Sequence, residues 1–302
     1  MTAPPPQSDF TPEALAALRA HPRFDEAVLH LARGSLQEFA AADETGRWMF
    51  RDLGRSSLYL AAVILDSTET GLTASILAKL ARANDTASRG RVMAFLRRAE
   101  AAGEVVVPAG KGPWTRRRLT LQPAFIDRFR KGYRIYADAL ARLSPEVAPL
   151  AARLDEAVFF RSFALWVGVA SQRAGTPVGR SERLFLERDR GMSILFRLMV
   201  SQSGPGERLL HSAPLSRSRL SREFGVSRIH INRLLADAAA AGLLSCPSPE
   251  RLVFSAAFSE AVEQMLALTL QITRAALLGA QAMTAGADGN AAVSPNVIAT
   301  ID

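Results

Sequence analysis

The sequence predicts a mainly α-helical protein in which one helical segment, followed by two short strands, occurs twice. The chain is 48% hydrophobic and rich in alanine, which favours helices, whereas runs of β-branched residues are few. Two segments, 88–103 and 227–242, share one pattern of apolar, small and basic residues over their whole length. Each is followed by short apolar stretches broken by glycine or proline, which is typical of a hairpin. At 302 residues, the chain is long enough for one to three domains.

The clearer copy lies within 215–244 and contains two predicted helices joined by a tight turn. The first helix is expected at Ser216–Phe224. Gly225 follows, where the chain must turn sharply, because positive φ costs glycine little. Ser227 suits the N-cap of the second helix, since its hydroxyl can accept a backbone N–H. The apolar face of this helix has helical spacing and consists of Ile231, Leu234, Leu235 and Ala238.

The weaker copy aligns with the clearer one without a gap. The aligned pairs include Ser88 with Ser227, Arg89 with Arg228, Val92 with Ile231 and Gly103 with Gly242. The preceding helix, about 73–83, is followed by four residues without a glycine, so Thr86 and Ser88 are both candidate caps. Upstream, 24–28 resembles 154–158 and 57–65 resembles 193–200. The repeat therefore extends over a period of roughly 130–140 residues.

A pair of strands is predicted after each copy. In the first, strands at 104–107 and 116–121 flank a Gly/Pro-rich turn that contains Lys111. In the second, strands at 243–246 and 251–254 flank a shorter turn with less positive charge.

Outside the two copies and their strands, the sequence predicts mostly helices. Helices are expected at 11–19 with Thr11 as cap, and at 24–41, 57–65, 123–143, 146–172 and 257–282. A polar connection is expected at 47–54 and a loop at 174–179.

The motif L-S-x-x-F-G-V-S-R-x-x-I-x-R-L-L at 220–235, with A-A-A-A-G-L-L after it, resembles the helix-turn-helix of bacterial winged-helix regulators of the MarR and GntR type. The resemblance implies tandem winged helix-turn-helix domains around a central helical body, in a pseudo-twofold arrangement. The fold class is then mainly α with small β-wings. The alternative interpretation is a helical hairpin in some other all-α core.

Four segments are expected from the repeat. They are an N-terminal segment at 1–22 that is partly disordered, a first winged-helix unit with flanking helices at 23–143, a second at 144–284, and a disordered tail at 285–302.

The resemblance assigns DNA contacts by position. A helix fits the major groove with its N-terminal residues against base edges, and Arg and Asn can form bidentate pairs with guanine and adenine. The predicted DNA-binding residues are Ser88, Arg89, Arg91, Lys111, Arg116, Arg117, Arg118, Arg217, Arg219, Ser227, Arg228, His230, Asn232 and Arg233. Further candidates for the groove or the phosphates are Lys79, Arg82, Arg97 and Arg222. For each arginine taken alone, a solvated surface position is the alternative.

The same resemblance implies a pocket for a small-molecule effector. Phe159, Phe163 and Trp166, with Phe160 beside them, are candidate lining residues. At this helical spacing, packing in a core is the alternative for such aromatic side chains.

Enzymatic activity is not expected. The four histidines are scattered without metal-ligand spacing, and no nucleophile elbow or complete phosphate-binding loop occurs, so neither a metal nor a cofactor is predicted. Cys246 is the only cysteine, which fits a reducing compartment. No signal peptide or membrane span is recognised, and a cytoplasmic location is expected.

The formal net charge of +8 favours a polyanionic partner. The sequence therefore predicts a regulator of transcription that binds double-stranded DNA, as a monomeric pseudo-dimer or as a homodimer, and reads two sites roughly 34 Å apart. Two alternatives stay open at this point: a plasmid-type replication initiator with tandem winged helices, and a winged-helix adaptor that binds protein.

Overall fold

The computed structural model describes residues 10–155, 157–173, 183–202 and 209–287. These residues are mainly α-helical with two small antiparallel sheets, which confirms the predicted class. The α-helices are α1 (Pro12–Arg19), α2 (Phe24–Ala41), α3 (Glu44–Met49), α4 (Leu53–Asp66), α5 (Ala74–Ala83), α6 (Arg89–Ala101), α7 (Pro123–Leu140), α8 (Ala157–Arg173), α9 (Arg183–Glu187), α10 (Gly191–Ser201), α11 (Arg217–Phe224), α12 (Arg228–Ala240) and α13 (Ala256–Ala287). The strands are β1 (Val105–Val106), β2 (Thr120–Leu121), β3 (Ser212–Pro214), β4 (Leu244–Ser248) and β5 (Arg251–Phe254).

The chain divides into two compact units. We call the first, formed by Met1–Leu31, Tyr133–Pro177 and Ala261–Asp302, the helical unit. The second, formed by Ala32–Gly132 and Val178–Glu260, contains all five strands and is called the mixed unit. Both repeated segments therefore lie in one compact unit. The predicted boundary between residues 143 and 144 describes the sequence repeat and stays a prediction.

Most of the helix predictions agree with the structure. Thr11 caps α1, since its Oγ1 accepts the Ala14 N–H at 3.2 Å, and α2 has the predicted bounds. The last helix is longer than predicted, because α13 reaches Ala287 and so includes the first residues of the expected tail. The predicted disorder of residues 1–9 and 288–302 and the predicted loop at 174–179 lie outside the described residues.

The predicted connection at 47–54 is shorter in the structure, because α3 extends to Met49 and α4 begins at Leu53. Asp43 accepts the Gly46 N–H at 2.7 Å and caps α3, and Asp52 accepts the Arg55 N–H at 3.0 Å and caps α4. Met49 at the end of α3 is 0% exposed. The six residues of α3 include only two apolar side chains, Trp48 and Met49, so no apolar periodicity predicts this helix, and the Asp43 cap was the one local signal for it.

Two other predicted elements differ. The single helix at 146–172 is a 3-10 helix (Pro145–Asp155) followed by α8, because in an α-helix the ring of Pro149 would clash with the carbonyl four residues earlier. The predicted strand at 116–121 is reduced to β2, because Trp114–Arg116 forms a 3-10 turn and Leu119 donates its N–H to Leu72 O instead, at 2.8 Å.

The order of elements in the mixed unit occurs twice. A short helix, a buried helix, two helices joined by a turn, and an antiparallel hairpin follow one another as α3 to β2 and again as α9 to β5. The second sheet has an additional strand, β3, and the strand order β3-β5-β4. In the first repeat, no third strand is assigned before α5 in the described residues, and the hydrogen bond from the Leu119 N–H to Leu72 O lies where β3 pairs with β5 in the second repeat.

The core of the helical unit is aromatic. Phe159, Phe163 and Trp166 of α8 are 0%, 1% and 2% exposed. The Trp166 ring lies 5.5 Å from that of Phe10, and the Phe163 ring lies 4.6 Å from that of Tyr133 in an edge-on contact.

Gly279 permits the close approach of α13 to α8. A Cβ added at this glycine would lie 2.8 Å from Trp166 Nε1 and closer still to Ser162 Oγ. We expect Gly279→Ala to destabilise the chain by about 1–3 kcal/mol, because overpacking forces side chains from their preferred rotamers. Urea unfolding followed by circular dichroism measures this change.

The matched control is Gly132→Ala, in α7, where an added Cβ would meet nothing within 4 Å. This substitution should stabilise the chain by up to about 1 kcal/mol, because alanine has the higher helix propensity. Equal effects of the two substitutions would contradict the role of Gly279 in packing.

Candidate nucleic-acid interface

The helix pair α11 and α12 has the geometry that the sequence predicts. Ser227 Oγ accepts the His230 N–H at 3.1 Å, which confirms the predicted cap. Gly225 takes up the left-handed conformation with φ 63°, which confirms the predicted turn. The predicted apolar face of α12 is at most 3% exposed, at Ile231, Leu234, Leu235 and Ala238.

The pair α5 and α6 is built in the same way with a longer turn. Ser88 Oγ accepts the Arg91 N–H at 3.3 Å and is the cap, whereas Thr86 Oγ1 donates to Ala81 O at 3.1 Å and closes the end of α5. Asp85, with φ 49°, takes the left-handed position that Gly225 has in the other pair. The start of α6 at Arg89, which the sequence left open, is thereby decided.

Both second helices end in the same turn and lead into a hairpin. Gly103 and Gly242 have φ 71° and 70°. After each, the next residue donates its N–H five residues back, Glu104 to Ala99 O and Leu243 to Ala238 O, both at 2.9 Å. This is the bond pattern of a Schellman cap, which directs the chain into β1 or β4.

Positive charge is concentrated in the mixed unit. Its residues include 29 Lys and Arg against 18 Asp and Glu, a net charge of +11, whereas the helical unit has 8 against 11, a net charge of −3. Every residue predicted to bind DNA belongs to the mixed unit. The basic character of the whole chain therefore comes from the unit that contains both helix pairs.

Four predicted side chains are exposed at the starts of α6 and α12. Within the described part of the chain, none of them has a side-chain hydrogen bond or ion pair: Arg89, Arg228, Asn232 and Arg233. Arg228 and Asn232 line a shallow cleft of about 310 Å³ together with Leu215–Ser218 at the start of α11. Polar groups on this face are thus available to an external partner.

Two other predicted contacts are engaged within the chain. Arg91 Nη2 donates to Asp52 Oδ1 at 2.6 Å, and the Asp52 side chain is only 8% exposed. His230, the residue aligned with Arg91, donates from Nε2 to the backbone oxygen of Asp189 at 2.8 Å. Each side chain holds the start of its helix against an earlier segment of the same repeat, at the start of α4 for Arg91 and between α9 and α10 for His230. The contact of either side chain with bases stays a prediction.

A second contact holds each of these helices near its end. In the first repeat the helix supplies the positive partner of an ion pair, and in the second repeat it supplies the negative partner. Arg98 Nη2 donates to Glu44 Oε1 of α3 at 2.7 Å. Asp237, aligned with Arg98, accepts from Arg188 just after α9. Sequence reasoning missed both pairs, because α3 and α9 were not predicted.

The basic residues of the first hairpin divide into two groups. Arg117 donates to Gly112 O at 2.7 Å and to Pro108 O at 3.2 Å and so shapes its own loop, and Arg118 packs against Gly71. Lys111 and Arg116 are exposed and have no side-chain hydrogen bond within the described residues.

The basic residues of α11 are partly engaged. Arg217 donates to the backbone oxygen of Pro249, and Arg222 Nε donates to Ser218 O at 3.4 Å. Arg219 is 67% exposed and lies 4.0 Å from Glu223, a distance that leaves its guanidinium accessible. In the first repeat, Lys79, Arg82 and Arg97 are exposed.

The two repeats are joined by a bidentate ion pair. Arg51 donates from Nε to Asp189 Oδ1 at 2.6 Å and from Nη2 to Asp189 Oδ2, and this hydrogen bonding raises the pKa of Arg51. Arg190 donates its backbone N–H to Arg51 O at 2.7 Å, and its guanidinium lies 4.8 Å from the centre of the Phe39 ring. Burial lowers the pKa of Arg190.

This pair completes a chain of contacts from α6 to α12. Arg91 binds Asp52, the neighbouring Arg51 binds Asp189, and Asp189 accepts from His230. The sequence contained no signal for this connection, since the paired residues are 138 positions apart.

The residues predicted to line an effector pocket belong to the helical unit and are packed against other aromatic rings. Two clefts lie in the mixed unit, around Ser216 and Arg219. The effector pocket stays a prediction.

Within the described residues, no group of three or more His, Cys, Asp or Glu side chains could hold a metal ion. No helix in the same ranges is long and apolar enough to cross a bilayer. Comparison with family models, curated proteins and solved structures finds no match to this chain.

The Arg51–Asp189 pair should hold α6 and α12 at a defined separation. We expect Asp189→Ala to broaden the distance distribution between spin labels at Arg97→Cys and Ala236→Cys, two exposed and aligned positions, in a chain with Cys246→Ser. The free energy of unfolding should fall by only about 1 kcal/mol, because both paired side chains are partly exposed.

Asp127→Ala is the control, since it removes a local ion pair with Arg130 within α7. Its distance distribution should equal that of the parent chain. An unchanged distribution in Asp189→Ala would show that other contacts position the two helices.

Proposed function

We propose that this chain is a sequence-specific regulator of transcription that binds double-stranded DNA through two MarR-like winged helix-turn-helix units. The observation that carries the proposal is the pair Arg89 and Arg228. They occupy aligned positions, directly after the caps of α6 and α12, and both are exposed without an intramolecular side-chain partner in the described part of the chain.

The helix starts suit the major groove. A groove about 12 Å wide admits one α-helix, and the residues of its first turns reach the base edges. In α12 these residues are Arg228, Asn232 and Arg233, which supply the donors and acceptors for guanine and adenine. The opposite face of α12 is buried, so this helix can present only one side to DNA.

The surrounding basic residues suit the phosphates. Arg219 lies on α11, which precedes the proposed recognition helix, and Lys111 and Arg116 lie in the hairpin that serves as the first wing. Such contacts position a protein on the duplex without reading sequence. The net charge of +11 on the mixed unit favours association with a polyanion.

The two proposed winged-helix units, which contain α6 and α12, would act together from one chain. The contacts from Arg91 through Asp52, Arg51 and Asp189 to His230 connect the two proposed recognition helices. We expect a bipartite operator, and the different side chains of α6 and α12 favour unlike half-sites over a perfect palindrome.

The double substitution Arg228→Ala and Asn232→Ala tests the proposed base contacts. We expect loss of about 1–3 kcal/mol of binding free energy for each bidentate pair removed, with relaxed sequence preference. The measurement is fluorescence anisotropy with a duplex selected by the parent chain from a random library.

The control is Arg161→Ala, which removes an exposed positive charge from α8 in the helical unit. It should leave affinity within twofold of the parent chain. The assignment of α12 is wrong if the double variant binds the selected duplex as tightly as Arg161→Ala does.

Salt dependence tests the proposed phosphate contacts. Because neutralised phosphates release counterions, affinity should fall steeply with salt, and Arg116→Ala should reduce the slope of log K against log[salt] by about one. Its affinity should fall by the same factor on selected and unrelated duplexes. A protein-binding adaptor would instead show no retention on duplex DNA at moderate salt.

A further inference from the structure

Ile229 is the most exposed large apolar side chain in the described part of the chain. It is 63% exposed, compared with 45% for Val106 and 39% for Phe50. It is the second residue of α12, between Arg228 and the anchored His230. Isoleucine has only a moderate helix propensity, so neither core packing nor helix formation accounts for it here.

The position of Ile229 on the helix is central to the exposed face. With about 100° between successive residues, it points directly away from the buried face formed by Ile231, Leu234, Leu235 and Ala238. Asn232 and Arg233 follow three and four residues later and are its neighbours on the surface. The branched side chain therefore stands between the groups that would hydrogen-bond to base edges.

The aligned position in α6 is Gly90. An added Cβ there would meet nothing within 4 Å, so space does not require a glycine. The same exposed face continues with Ala94 and Arg97. The two helices thus differ at the centre of this face, where α12 has a branched apolar group and α6 has none.

Resting on the proposed function, we infer that Ile229 is a specificity-determining residue that contacts the C5-methyl group of thymine. In the major groove, that methyl is the one apolar group on a base edge, and it distinguishes T·A from the other pairs. Ile229 with Asn232 selects an A·T-containing half-site for α12. Gly90 leaves α6 without this discrimination, so the two half-sites differ in their requirement for thymine.

The test replaces each thymine of the selected duplex in turn by deoxyuridine, which removes the methyl and keeps the hydrogen-bonding groups. For the full parent chain, we expect one or two replacements, confined to the half-site of α12, to weaken binding about fourfold, the equivalent of one buried methyl group. Ile229→Ala should bind the thymine and deoxyuridine duplexes with equal affinity. Ile229→Val should retain part of the difference.

Val106→Ala, which shortens another exposed β-branched side chain in the mixed unit, is the matched control and should keep the full difference. Two results overturn the inference while DNA binding stands: no deoxyuridine replacement weakens the parent chain, or Ile229→Ala shows the same loss as the parent chain. If the parent chain enriches no sequence from the random library, the proposed function itself fails.

Discussion

The bidentate pair between Arg51 and Asp189 is the interaction on which the arrangement of the mixed unit depends. A guanidinium that binds both oxygens of a carboxylate fixes orientation as well as distance, because both groups are planar. On one side, Asp52 beside Arg51 binds Arg91 of α6, and on the other, the carbonyl of Asp189 accepts from His230 of α12. The pair is partly exposed, so its value lies in geometry more than in free energy of folding.

In both repeats, aligned positions of the second helix form the contacts that hold it in place, but the residue types that form these contacts differ. Three residues after the cap, Arg91 uses a carboxylate where His230 uses a backbone carbonyl. Near the helix end, Arg98 pairs with Glu44, whereas Asp237 pairs with Arg188. Exchanged partners would set like charges together, which is unfavourable. Each second helix therefore pairs only with the short helix of its own repeat. Its exposed face takes no part in this pairing and can differ between the repeats.

Local signals in the sequence predicted the helix pairs well and the connections between them poorly. The Ser227 cap and the Gly225 turn depend on contacts within three residues, and the structure confirms both. The cap of α6 was ambiguous, because two hydroxyl residues stood near its start and only their bonds distinguish Ser88 from Thr86. Of the candidate site residues, Arg89 and Arg228 were paired by alignment alone, and the structure shows that both are exposed.

By itself, the sequence determined the mainly α class, the two helix pairs, the Ser227 cap and the hairpins that follow each pair, because turn residues, caps and apolar periodicity act over a few positions. Only the tertiary structure decided which basic side chains are available. Arg91 and His230 lie in the first turn of their helices, as Arg89 and Arg228 do. They nevertheless form hydrogen bonds with residues far away in the sequence, Asp52 and the backbone oxygen of Asp189. The Arg51–Asp189 pair was equally beyond sequence reasoning, because it depends on how residues 138 positions apart pack.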